Sequence, residues 1–146
     1  MITDKFGLTG DLLVQIKNKE GVVTFEQEIK NLIVTAGKAL VASRLKDNTN
    51  NSITHMAIGT DATAANTGQT ALVAELARQA MTSTTVVSNV ITYVATYAPG
   101  VGTGTIVEAG LFNDPTVGTM LSRTASLSAI KGASDSLTIT WTITVN

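Results

Sequence analysis

The stretch at residues 136–145, SLTITWTITV, constrains the fold of this chain more than any other feature. Because successive side chains of a β-strand point to opposite faces, its large apolar residues share one face and its threonines share the other. The apolar row consists of Leu137, Ile139, Trp141, Ile143 and Val145. Each such side chain gains about 1.5–3 kcal/mol on leaving water, so the row requires a second layer to cover it. The threonine face is polar enough to meet solvent, a neighbouring sheet or a partner subunit.

The composition indicates one domain with few charges. A length of 146 residues suffices to bury a core without cross-links, and the absence of cysteine excludes a disulfide framework and a thiolate metal site or nucleophile. With a formal net charge of −1 and 14% charged residues, the chain has no field that would predict nucleic acid or an anionic membrane as its partner. A surface so poor in charge favours an assembled protein over a freely diffusing monomer.

The N-terminus lacks the features of a targeting segment. It has neither the basic start nor the continuous apolar run of a secretion signal. No stretch of about 18 apolar residues occurs that could span a bilayer. We therefore expect no membrane partner, and synthesis and folding in a cytoplasm.

The first third of the chain predicts a hairpin and then a short helix. Apolar residues alternate on both sides of a turn at residues 18–21, which predicts an antiparallel hairpin over about residues 8–30. The period then becomes helical over about residues 35–46. The approximate stripe consists of Ala36, Ala39, Leu40, Ser43 and Leu45. Thr35 is placed to cap this helix, whereas Gly37 argues against it.

The rest of the chain, about residues 53–146, predicts the body of a β-sandwich. Strands are expected at residues 53–60, 82–87, 90–97, 105–113, 119–127 and 136–145. Residues 71–77 fit a helical turn about as well as a strand. Ser88 and Asn89 form a two-residue hairpin connection, in which asparagine tolerates left-handed φ. The pattern predicts a mainly β protein, a single antiparallel β-sandwich or jelly-roll-like domain over residues 1–146 with one or two short helices.

Few residues could carry chemistry. His55 is the single histidine, and the sequence around it has no triad or zinc-site pattern, so a hydrogen-bonded strand histidine is favoured over a catalytic or metal-binding one. Gly100, Gly102 and Gly104 are followed by a predicted strand rather than by the helix of a phosphate-binding loop, which favours a tight or mobile turn.

Two further pairs are better explained by structure than by catalysis. Glu26 and Glu28 share a strand face, but nothing apolar nearby would raise one carboxyl pKa for general acid catalysis. Tyr93 and Tyr97 share a strand face as well; a sugar-binding platform would use such rings, but core packing is their commoner role. We therefore predict that the protein is not an enzyme and has no catalytic residue, cofactor or metal site.

Three residues are predicted to have structural roles. Trp141 lies in the middle of the apolar row and is expected in the core. If the hairpin around residues 114–118 closes symmetrically, Glu108 lies directly opposite Arg123, and the two form a cross-strand ion pair. The alternative is that Arg123 points outward and binds an acidic groove on a neighbouring subunit.

Six short sequence blocks occur in order between about Asn31 and the C-terminus. They are NLIVT with Gly37 and Lys38, HMAIGT at 55–60, LAR at 76–78, EAGLFN at 108–113, GTMLSR at 118–123 and DSLTITW at 135–141. In this order they resemble a family of small tailed-phage virion proteins, described as tail-fibre or structural proteins. The resemblance implies a virion component made in the host cytoplasm, and it supplies no catalytic residue.

Two functions are consistent with that resemblance. One is a capsid decoration or cement protein that binds the outer shell as a homo-oligomer, with a trimer among the candidate assemblies and the major capsid protein as its partner. The other is a tail-fibre or spike module that recognises a host glycan. The chain is short and has no coiled-coil heptads and no cluster of exposed aromatic residues, which favours decoration.

Overall fold

A computed structural model describes residues 4–146 of the chain. The protein is mainly β, with 49% of the described residues in strands and 8% in helix. The strands in chain order are β1 (Leu8–Lys17), β2 (Val23–Lys30), β3 (Leu32–Ile33), β4 (His55–Gly59), β5 (Glu75–Ala80), β6 (Ser83–Val87), β7 (Val90–Tyr97), β8 (Gly104–Ile106), β9 (Glu108–Phe112), β10 (Met120–Thr124), β11 (Ala129–Lys131) and β12 (Ser136–Val145). Helix α1 (Thr35–Lys46) lies between β3 and β4.

Two antiparallel five-stranded sheets pack in a sandwich-like arrangement, which confirms the predicted fold class. Sheet I has the strand order β2-β1-β12-β7-β6, and sheet II has the order β3-β10-β9-β4-β5. A small two-stranded ladder pairs β11 with β8. Because β5 ends one sheet and β6 begins the edge of the other, the chain crosses between the layers at Met81, whose amide donates to the Thr54 carbonyl.

Strand β12 is the centre of sheet I, and its bounds are those predicted from its alternating pattern. It pairs with β1 on one side and β7 on the other, so that Trp141 lies between Leu12 and Tyr93. The apolar row faces sheet II, where Met56, Ile58 and Leu111 belong to the same core. The alternation of β12 therefore determines which side of sheet I meets the second layer.

Both tyrosines of β7 lie in this core, as predicted. Tyr97 is fully buried and Tyr93 nearly so. The Tyr97 hydroxyl donates a 2.6 Å hydrogen bond to the carbonyl of Met56 on sheet II. Burial raises the pKa of Tyr97 well above its ordinary value. The ring therefore connects the two layers and is not available as a sugar platform.

The helix has its predicted bounds, but its N-terminal cap was wrongly assigned. The N-cap is Val34 and has no side-chain cap bond, while Thr35 is the first helical residue and its amide donates to the Thr67 carbonyl. Gly37 is buried because the helix packs closely on β10, where an added Cβ would collide with the backbone of Leu121. Of the predicted stripe, Leu40 is buried, but Leu45 is 80% exposed.

The segment left open at residues 71–77 is a loop up to Ala74 and strand from Glu75, where β5 begins. Other local predictions were wrong. The strand predicted over residues 105–113 is interrupted at Val107, and residues 129–131, expected in a loop, form β11. At the β6–β7 turn the positive φ of 54° belongs to Ser88 rather than to Asn89.

Candidate functional site

Two fully buried charged side chains form an ion pair on the outer face of sheet II. The side chains of Glu108 and Arg123 are both 0% exposed, and Arg123 Nη2 lies 2.8 Å from Glu108 Oε2. Arg123 Nε donates to the same oxygen at 3.1 Å. The predicted pair is therefore present, and the outward orientation of Arg123 that was its alternative is wrong.

The register that was expected to bring the two residues together is also wrong. Phe112 pairs with Met120, and a bulge between Met120 and Ser122 places Arg123 opposite Gly110 instead of Glu108. The ion pair is therefore diagonal, between neighbours on one face that are two positions apart in register. Sequence symmetry about the turn could not reveal the bulge.

The ion pair is hydrogen-bonded to a long segment, residues 60–74, which we name the covering loop. The amides of Val73 and Ala74 donate to the two carboxylate oxygens of Glu108 at 3.0 and 2.7 Å. Arg123 Nη1 donates to the carbonyl of Thr63 at 2.8 Å and to Gln69 Oε1 at 3.1 Å. Both ends of the loop are thus bonded to the same buried pair, which satisfies the charges and orders the loop.

The covering loop encloses a second apolar cluster on the outer face of sheet II. The buried members of this cluster are Val34, Ala57, Leu72, Phe112 and Met120. Beside it, the guanidinium of Arg78 lies 3.8 Å from the centroid of the Phe112 ring, a cation–π contact. Arg78 also donates to the carbonyls of Asp114 and Val117, so it ties the loop after β9 to this face.

Among residues 4–146, no segment covers the outer face of sheet I in this way. Its centre consists of Thr138, Thr140, Thr142 and Thr144 on β12, flanked on β7 by Val90, Thr92, Val94 and Thr96. None of the residues of β6, β7 and β12 is charged. Charges on this face begin only on β1 and β2, where Lys30 bonds Asp11 at 2.8 Å. Thr96 and Thr138 share a 3.0 Å hydroxyl–hydroxyl bond across the strands.

Trp141 is completely buried in the core, as predicted. Its indole nitrogen has no partner, since among the described residues no acceptor lies within hydrogen-bond distance of Nε1. A buried donor without a partner costs about 1–3 kcal/mol, so the ring is retained for its packing.

A buried lysine is the polar residue that the sequence did not reveal. Lys131 is 1% exposed, and its Nζ donates to the carbonyl of Ala98 at 3.0 Å. Burial lowers the pKa of this amine, and the charge of Asp135 acts in the opposite direction. Its place on the short strand β11, which was expected to be a loop, explains why its burial was not foreseen.

The remaining candidates for chemistry have structural roles. His55 Nδ1 lies 2.7 Å from the hydroxyl of its neighbour Thr54. Gly100, Gly102 and Gly104 all have positive φ; the first two lie in the connection before β8, and Gly104 begins that strand. In residues 4–146 no group of three or more His, Asp or Glu side chains is placed to hold a metal ion. Within the same residues, no helix is long and apolar enough to cross a membrane.

Comparison of the chain with protein-family models, with curated proteins and with solved structures finds no match.

Proposed function

We propose that this protein is a non-enzymatic component of a tailed-phage virion, a capsid decoration protein that binds the outer shell as a homo-oligomer and stabilises it. The proposal combines the resemblance of the six sequence blocks with the properties of one surface. That surface is the outer face of sheet I, which is broad, rich in threonine and free of charge on β12 and β7.

This face carries the proposal because it differs from the surface of a freely diffusing protein, which normally mixes charges of both signs. Threonine hydroxyls and β-branched carbons can be buried against a partner without the desolvation cost of an ionised group. A standard interface takes about 800 Å² from each partner, which is roughly one-tenth of the 7680 Å² surface of this chain. The threonine face, which extends over β12 and β7, is a surface on which such an area can be buried.

The alternative, a tail-fibre module that recognises a glycan, has less support. Sugar platforms use exposed aromatic rings, but Trp141, Tyr93 and Tyr97 are all buried in the core. A decoration protein needs no ligand pocket, because its contribution is the free energy of the surface that it buries on the shell.

The copy number of the chain in purified virions tests the proposal. Quantitative mass spectrometry, scaled to the major capsid protein, is expected to find hundreds of copies per particle. A few dozen copies or fewer would support the tail-fibre alternative, and absence from the particle would refute both functions.

A further inference from the structure

Strand β6 is an edge strand of sheet I without any of the usual protection. It pairs with β7 on one side, and no described strand pairs with its other side. Its sequence is STTVV, every residue is exposed, and Val86 and Val87 retain 66% and 73% of their accessible surface. Edge strands leave a row of backbone amides and carbonyls available for another chain, and proteins normally protect them with charges, proline or a covering segment.

The other edges of the two sheets carry that protection. At the far edge of sheet I, β2 bears Glu26, Glu28 and Lys30. At one edge of sheet II, β5 bears the ion pair of Glu75 and Arg78, and the opposite edge, β3, is only two residues long. Protection is therefore missing at one edge, and that edge borders the uncharged threonine face.

We propose that β6 pairs antiparallel with β6 of a second copy of this chain, which joins two sheets I into one continuous ten-stranded sheet. This pairing specifies how the homo-oligomer of the proposed function forms, and the biological role of the pairing rests on that function. The pairing itself is a property of the isolated protein.

The edge is complementary to itself. An antiparallel pair that overlaps all five residues has its two-fold axis at Thr85, so that Thr84 faces Val86 of the second copy and Ser83 faces its Val87. Thr85 then faces its own counterpart. These are hydroxyl and β-branched pairs, which stabilise neighbouring strands, and no like charges meet. The formal net charge of −1 adds almost no repulsion between copies.

The same register makes the outer face continuous. Thr85 lies opposite Thr92 of β7, and Thr92 lies opposite Thr142 of β12, so these residues share the outer face. Pairing at Thr85 keeps the outer faces of both copies on one side of the joined sheet. An isologous contact of this kind closes as a dimer, whereas a trimer would require β6 to bind a different surface of its neighbour. Five residues bury less than about 1,200 Å², so the dimer is expected to be reversible.

Cross-linking at the axis tests the pairing directly, because the chain has no cysteine of its own. In a Thr85→Cys variant the two sulfurs would meet across the axis, at the Cα separation that a disulfide accepts. Mild oxidation is expected to convert this variant to a covalent dimer. The matched control is Thr9→Cys, an exposed threonine on β1 of the same sheet, which is expected to form no covalent dimer because it lies away from the β6 edge.

A charge exchange provides the second test. Thr85→Lys and Thr85→Glu each place two like charges at the axis, and each is expected to weaken the dimer about fivefold or more in sedimentation equilibrium. An equal mixture of the two variants is expected to restore it. If Thr85→Cys cross-links no faster than Thr9→Cys, or if the mixture does not dimerise better than either variant alone, the pairing is wrong and the proposed function stands on its own test. A dimer that forms with a chain absent from virions would leave the pairing intact and refute the proposed function.

Discussion

The outer faces of the two sheets show how one chain treats two similar surfaces differently. On sheet II the outward side chains include Ala57 and Phe112, and the covering loop lies over them. On sheet I the outward row of β12 consists of one serine and four threonines, which are partly accessible, and no segment among residues 4–146 lies over it. The apolar outer face of sheet II is therefore shielded from water, whereas the outer face of sheet I, which is rich in hydroxyl groups, stays in contact with it.

The ion pair of Glu108 and Arg123 explains why the covering loop is ordered. A segment of this length without regular structure would lose much conformational entropy on being fixed, and its bonds to the buried charges, together with the burial of Leu72, oppose that loss. The outer face of sheet I has no buried group that could anchor such a segment. If the protein binds the shell as proposed, the comparison favours sheet I over sheet II as its contact surface.

The largest expected effect on stability comes from Trp141, which lies in the core between the two sheets. Trp141→Ala removes the largest buried side chain from the core shared by the two sheets and is expected to lower the free energy of unfolding by about 3–5 kcal/mol. Trp141→Phe is expected to cost far less, because it keeps a ring and removes the unpartnered Nε1 donor. Chemical denaturation of both variants measures the difference; a wild-type midpoint for Trp141→Ala would contradict the placement of the ring.

Removal of one member of the ion pair is expected to affect sheet II selectively. Arg123→Met leaves the Glu108 carboxylate buried without its cation and is expected to cost about 3–5 kcal/mol. Amide hydrogen exchange should show that the covering loop loses protection, while β12 remains protected up to global unfolding.

A double-mutant cycle sharpens this prediction. Because Glu108 and Arg123 share hydrogen bonds, the single variants Glu108→Gln and Arg123→Met should together cost more than the double variant. Additive effects would show that the pair has no coupling energy.

The sequence predicted those features that follow from local residue patterns, but not those that depend on contacts between residues distant in the chain. The strict alternation of residues 136–145 predicted β12, the core position of Trp141 and the threonine face, because all three follow from a period of two. The helix bounds followed from a change of period. The identity of the ion pair was also predicted, although through the wrong register.

The covering loop and its environment could not be predicted. Its order depends on bonds between Arg123 and Thr63 or Gln69, which are more than fifty residues away in the chain and have no local signal. Gly37 was an argument against the helix, yet the close approach to Leu121 requires it. These are tertiary contacts, and local helix or strand propensities cannot predict them.

The pH dependence of the free energy of unfolding tests whether the Tyr97 hydroxyl is buried between the two sheets. Because burial raises the pKa of Tyr97, the folded state keeps this hydroxyl neutral, while the unfolded chain ionises near its ordinary value of 10. The contribution of Tyr97 is therefore fully present below pH 10, and stability falls above it by about 1.4 kcal/mol per pH unit for each such tyrosine. Tyr97→Phe should reduce this alkaline loss by one tyrosine's share; an unchanged slope would contradict the layer-joining role of the hydroxyl.

The smallest expected effect on stability comes from the open face. Thr140→Lys replaces an accessible threonine in the middle of β12 and is expected to change the free energy of unfolding by about 1 kcal/mol or less. Thermal unfolding measures this. A loss as large as that expected for Arg123→Met would show that the face is a structural surface like that of sheet II.

Binding of the same variant to capsids tests the central claim most directly. Capsids that lack the protein are mixed with wild type, with Thr140→Lys or with Thr67→Lys, which places the same charge on the exposed surface of the covering loop. If the outer face of sheet I is the contact surface, Thr140→Lys should lose at least about tenfold in affinity, because a buried unpaired charge costs more than 1.4 kcal/mol. Thr67→Lys should bind as wild type does. Wild-type binding by Thr140→Lys, with a loss for Thr67→Lys, would contradict the account and assign the contact to sheet II.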